Sequence, residues 1–260
     1  MSRKPNARLW RTLALAGTTV GVATGATAKS PADYTHSDDA VLWLAQSEGG
    51  EGGEGGEGGA PETASGDAAY LTELGKLDAH LIAAVRLYEA GATDEGIALA
   101  GHPEAEFMNE LRERFEERGA ADITPSVDAL IEALATGDGI EAALEAVRAD
   151  IDTAAGNVDV AARYEAILYL VRDAASEYEL GVDGGGITDL VAVEEARGFL
   201  GAARALVDAG SDGVTGEKVL TQLDRAMLAF PDRHTGDFTP DASLIHGAAA
   251  RIEIATLGLK

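Results

Sequence analysis

The 260-residue chain contains no cysteine, which excludes a disulfide scaffold, a thiol nucleophile, a zinc ribbon, an iron–sulfur cluster and thioether-attached haem. Positive charge is scarce: 20 lysines and arginines stand against 45 aspartates and glutamates, for a formal net charge of -25. A surface this negative repels a phosphate backbone, so no nucleic-acid partner is expected. Aromatic residues make up only 5% of the chain. Alternating β-branched runs and Asn-Gly hairpin signals are missing, which argues against a strand-built fold. No segment offers the roughly 20 consecutive apolar residues that a bilayer-crossing helix needs. The sequence has no GxSxG elbow, no phosphate-binding loop and no HExxH, and no serine neighbours a histidine in a nucleophilic arrangement. An enzyme is therefore not expected.

What is present falls into three parts. Residues 1–28 read as an export signal. Arg3, Lys4, Arg8 and Arg11 form a basic start, Leu13 to Ala23 is apolar and uncharged, and Ala26-Thr27-Ala28 supplies a small-x-small site before a cut at Lys29. The apolar stretch is too short to cross a bilayer, and Arg8 and Arg11 are not adjacent, so this is not a twin-arginine signal. The expectation is a periplasmic or secreted, soluble protein that is not transmembrane once the signal is cut; retention of the segment as an anchor is the alternative. Residues 29–66 form an acidic, Gly-rich linker in which Glu-Gly-Gly repeats four times between Glu48 and Gly59. Such a segment has little to bury and much backbone entropy to lose, so it is expected to be disordered. Its one apolar island, Val41 to Ala45 with Trp43 at its centre, reads either as a docking peptide for an envelope partner or as a strip packed on the body.

The body, residues 67–260, is expected to be an all-α helical bundle of about eight helices. Tyr70, Leu74, Leu77, Leu81, Ala84 and Tyr88 recur at helical spacing and stop near Gly91. A second helix is expected from Pro103 to Gly119, with Phe107, Leu111 and Phe115 turned inward. Thr124-Pro125 reads as a cap and first turn, and further helices are expected over 139–154, 158–181, 189–209, 215–230 and 241–257. The long helices close alike, Leu87-Tyr88-Glu89-Ala90-Gly91 and Glu177-Tyr178-Glu179-Leu180-Gly181. Two similar halves, 67–155 and 156–260, follow from that likeness. Gly184-Gly185-Gly186 reads as a simple separator between helices.

Two stretches resemble known proteins. Tyr70 to Gly75, His80, Leu87-Tyr88 and Gly101-His102-Pro103-Glu104-Ala105-Glu106 are similar to a group of uncharacterised exported helical proteins of Gram-negative bacteria, which also carry Gly-Gly-Glu repeats and a His-Pro-Glu box. Glu177 to Val182, Gly186-Ile187 and Glu194 to Phe199 resemble the extracytoplasmic helical region that precedes the membrane part of bacterial iron permeases of the FTR type. The permeases' ion-handling acidic motif lies in their membrane helices and has no counterpart here. The resemblance implies a setting, extracytoplasmic handling of iron or another metal, and not transport.

Chemistry, if any, falls on His80, His102 and Glu106. His102 and Glu106 are four residues apart at a helix start, and imidazole with carboxylate suits iron, copper or zinc. Helix packing that brings His80 towards His102 completes a His/His/Glu metal set. The plainer reading makes His80 a hydrogen-bonded core residue and Glu104 and Glu106 carboxylates at the positive end of a helix dipole. Asp232, His234 and Asp237 read as a solvated loop, His36 lies in the linker, and His246 is expected to border the core. Glu116-Glu117 and Glu194-Glu195 read as solvated pairs. The function expected is thus an accessory or metal-binding module, with a structural or protein-interaction module of the envelope as the alternative.

Loss of the signal removes four positive charges and no negative ones, so repulsion between carboxylates opposes the compact state still more in the mature chain. The Debye length falls from about 10 Å at 0.1 M salt to about 3 Å at 1 M. The melting temperature of the mature protein should therefore climb as potassium chloride is raised over that range; a flat curve would remove surface repulsion as a significant term.

Overall fold

The chain folds around its first long helix, α1 (Gly66–Glu89), which is buried on most of its circumference, from Tyr70, Leu71 and Leu74 through Leu77 and Leu81 to Leu87. A helix apolar on nearly every side must be covered on nearly every side. The covering comes from helices in both the first and the second part of the sequence. The computed structural model describes residues 66–210, 213–231 and 238–259, all within the unit Gly59–Lys260. The expected signal over 1–28, the expected linker over 29–66 up to residue 65 with His36 and Trp43, and Asp232, His234 and Asp237 lie outside the described residues, while Gly66 already belongs to α1.

After α1 come α2 (Thr93–Ala100), α3 (His102–Glu106), α4 (Met108–Arg118), α5 (Thr124–Thr136), α6 (Ile140–Ala155) and α7 (Val160–Gly181). A short antiparallel ladder, β1 (Val182–Asp183) with β2 (Gly186–Ile187), leads into α8 (Leu190–Gly210), α9 (Gly213–Met227) and α10 (Ser243–Thr256), which ends in a 3-10 turn, Leu257–Leu259. The fold is all-α, as the composition implies. The glycine run at 184–186 is more than a separator: Val182 pairs with Ile187 and Asp183 with Gly186, so it turns a hairpin, and Asp183 Oδ1 accepts the Gly185 amide.

The structure departs from the periodicity in three places. An unexpected short helix, α2, packs Leu99 and Ala100 into the core; with eight residues and little apolar pattern it draws its stability from packing rather than propensity. The helix expected over 103–119 is interrupted at Phe107, whose φ of -144° and ψ of -4° separate α3 from α4. Thr124-Pro125 is not a cap and first turn: α5 already begins at Thr124, with Ile123 at the cap position, and Asp122 Oδ1 two residues earlier accepts both the amide and the hydroxyl of Thr124.

Side-chain pairs give the packing. Tyr70 donates to the Ala154 carbonyl and Asp78 accepts from Arg148, so α6 runs antiparallel along α1. Gly181 lies against Val193 and Gly210 against Arg163, which sets α7 and α8 antiparallel. Arg172 with Glu253, and His246 with Glu179, seat α10 antiparallel on α7. His246 is exposed and pairs with Glu179 at 2.9 Å, rather than bordering the core. One contiguous apolar core draws on α1, α2 and every later helix from α4 to α10.

The tightest crossing is that of α8 over α1. A Cβ at Gly198 would lie 2.3 Å from the Ala79 carbonyl oxygen, a separation that real atoms do not adopt. Only hydrogen at this position lets the two backbones meet. Gly198→Ala should force the helices apart and cost at least about 1–3 kcal/mol, the usual price of overpacking, read as a lower urea midpoint at unchanged slope.

Candidate functional site

The α1–α8 crossing decides which polar side chains meet. His80 follows Ala79 on α1, and Glu195 stands three residues before Gly198 on α8, on the side of the helix that faces α1. His80 is buried, with 8% of its surface exposed. Its Nε2 lies 3.4 Å from Glu195 Oε1 and 3.8 Å from Glu106 Oε2, the latter supplied by α3. Phe107 and Phe199 close the ring in edge-on, with centroids at 5.8 and 6.2 Å.

The other ring nitrogen determines the chemistry. Nδ1 lies 2.8 Å from the Lys76 carbonyl oxygen, which only accepts, so Nδ1 carries the hydrogen and donates. In the neutral ring the free lone pair is then on Nε2, facing two carboxyl groups. Burial pushes the His80 pKa below its ordinary value, with Lys76 O and Glu106 acting the other way and the charge of His102 adding to the decrease. Burial, reinforced by Glu177, Glu106 and Asp189, pushes Glu195 up to about 8. Glu177 on α7 is pushed up to about 7 by burial and by Asp173, Asp189 and Glu106, against which Lys76 works. Lys76 is itself paired with Asp173 at 3.3 Å. The junction of α1, α3, α7 and α8 is thus a seam of carboxyl groups around one neutral imidazole, with too little positive charge to ionise them all.

Of the three residues expected from sequence, the fold brings His80 and Glu106 together. His102 stays exposed at the start of α3. Among the described residues no three His, Asp or Glu side chains stand grouped as a ready metal-ligand set. Glu195 and Glu177 were not expected. The Glu194-Glu195 pair read as solvated, yet Glu194 is fully buried and the Glu195 side chain is only 16% exposed. The signal was there: Glu195 falls three after Ala192 and four before Phe199, inside the apolar stripe of α8. Glu194 does different work, accepting from Arg86 Nε of α1 at 2.5 Å, with Arg197 Nε at 3.9 Å. Glu116 and Glu117 are exposed, as read.

The shifts carry a sign. Glu195 and Glu177 bind their protons more tightly folded than at the ordinary value of 4.5, so the stability they confer is complete below pH 4.5 and lost as pH rises through about 7 and about 8. Asp78, buried against Arg148 and raised to about 6, acts in the same sense at lower pH. His80 acts oppositely, its contribution disappearing as pH falls below 6.5. The melting temperature should therefore rise as pH is lowered from about 9 to about 6.5. Glu195→Gln, which stays neutral throughout, should flatten that rise.

Compared with known proteins, the chain matches no family model, no curated protein and no solved structure.

Proposed function

We propose that this chain is an exported helical binding module, periplasmic or secreted, that takes up a transition-metal cation such as iron or copper at His80, Glu106 and Glu195, and that it is not an enzyme. One observation carries the reading: the His80 imidazole is locked through Nδ1–H on a backbone carbonyl with Nε2 directed at two carboxyl groups. That is how metal-ligating histidines are commonly oriented, the non-ligating nitrogen held by a carbonyl so that the other is presented as a donor. Bonds of about 2.1 Å in a tetrahedral site set ligand atoms about 3.4 Å apart, close to the separations from Nε2 to Glu195 and Glu106. A cation would also supply the positive charge that the seam lacks. Small movements of Glu106 and Glu195 would complete the set, since their carboxyl groups are not yet gathered around one point. The basic and apolar start of the sequence supports export, and the likeness of 177–199 to the extracytoplasmic part of iron permeases supports a metal-handling setting.

A module that docks a protein partner in the envelope is the second reading. Leu180 at the end of α7 and Leu228 just after α9 are 69% and 73% exposed. They stand at the same end of the bundle, where Tyr178 donates to the Ala229 carbonyl.

Metal analysis and melting of the mature protein separate the two. With added iron, copper or zinc at about 100 times its dissociation constant, the fold should gain about 2.7 kcal/mol, and Glu106→Gln and Glu195→Gln should each lose most of that gain. A metal-free protein whose melting temperature ignores all three ions would overturn the cation reading and leave the docking module.

A further inference from the structure

Glu106 sits on the slightest element of the fold. α3 is a single five-residue turn between Gly101 and the break at Phe107, and of its residues Pro103 alone is buried. A turn this short does not hold its own conformation, yet it presents Glu106 to His80. The buried Pro103 and the Phe107 ring on His80 anchor its two ends. A third tie comes from outside. The Arg112 guanidinium of α4 donates through Nη2 to Glu104, through Nη1 to Asn109 Oδ1 at 2.9 Å, and through Nε to Thr124 Oγ1 at 3.1 Å. Thr124 is itself held by Asp122. One planar group with a fixed fork of donors therefore joins α3 to the start of α5. Glu104 precedes Glu106 by two residues, about 200° around a helix at 3.6 residues per turn. Drawing Glu104 to Arg112 leaves Glu106 on the side of the turn nearer α1, where its half-exposed carboxyl reaches His80.

We propose that Arg112 is the positioning residue of the site: acting through Glu104, it sets the rotation of α3 that places the Glu106 carboxyl against His80 Nε2. The inference rests on the reading of His80, Glu106 and Glu195 as a cation site, and it gives Arg112, Glu104 and the Thr124 turn a role in that site beyond surface ion pairing. An exposed ion pair contributes only about 0–1 kcal/mol to stability, so its removal should disturb the site more than the fold.

The test reads the site without a metal. The ring nitrogen and proton resonances of His80 are recorded at one pH in the full mature chain, with Glu106→Gln as the reference for loss of the neighbouring carboxylate. Arg112→Ala and Glu104→Gln should each move the His80 signals towards those of Glu106→Gln. The double variant Arg112→Ala/Glu106→Gln should move them no further than Glu106→Gln alone. Wild-type His80 signals in both single variants would overturn the proposal, and so would a drop in melting temperature without a shift in those signals. Zinc titration supplies the second readout. Arg112→Ala should weaken binding about 10-fold, the lower end for loss of a group that orients a ligand, with no further loss in the Glu106→Gln background; equal losses in both backgrounds would overturn it. If the wild-type protein binds no zinc, iron or copper, the cation reading fails, while the His80 signals still decide the role of Arg112.

Discussion

The approach of α8 to α1 at Gly198 and Ala79 sets the rest of the structure. Where a side chain would need space, the Ala79 carbonyl already occupies it, so the two backbones pack at their minimum separation. That contact decides which residues of α8 face α1. It directs Glu194 to Arg86 on one side of the crossing and Glu195 to His80 on the other. Two consecutive glutamates thereby acquire opposite roles. Glu194 is fully buried and charge-compensated by an arginine, as a buried carboxylate must be. Glu195 meets other carboxyl groups and an imidazole whose pKa burial lowers, and with its own pKa pushed up to about 8 it keeps its proton at neutral pH.

The few positive charges are spent with economy. Arg86, Arg114, Arg118 and Arg148 each pair with a carboxylate of α1 or α8, and Arg118 also lies over the Tyr70 ring at 4.1 Å. Arginines therefore bind the helices to one another in a protein whose surface is dominated by acid. Around His80 this compensation falls short. Lys76 is the single cation among the groups that act on Glu177, and it already serves Asp173. A locked imidazole amid under-compensated carboxyl groups is therefore chemically poised for either protons or a metal cation, and this is the physical content of the proposed function.

The site is also uneven in rigidity. His80 and Glu195 are carried by helices of 24 and 21 residues buried in the core, whereas Glu106 rides on one turn. In the proposed site the backbone positions of His80 and Glu195 would be fixed by the core, whereas that of Glu106 would depend on a strap of polar contacts through Arg112.

Helical class and most helix limits were legible in the sequence, because the spacing of Tyr70, Leu74, Leu77 and Leu81, or of Val160, Tyr164, Ile167 and Val171, reflects the periodicity of one chain segment. His80 and Glu106 stood out for the same local reason, one beside an apolar stripe and the other in a His-Pro-Glu turn. The interruption at Phe107 was not legible, since it depends on the aromatic ring finding His80, a contact made across the fold. The burial of Glu194 and Glu195 was hidden as well: an acidic pair on a helix is ordinarily solvated, and only the partner helix shows that this stretch of α8 is covered. The sequence by itself determined that this chain forms acidic helices with one side to bury. The tertiary structure decided which charges are buried and beside what, because a glycine contact between two helices, a long-range steric fact, sets the rotation of each about its axis.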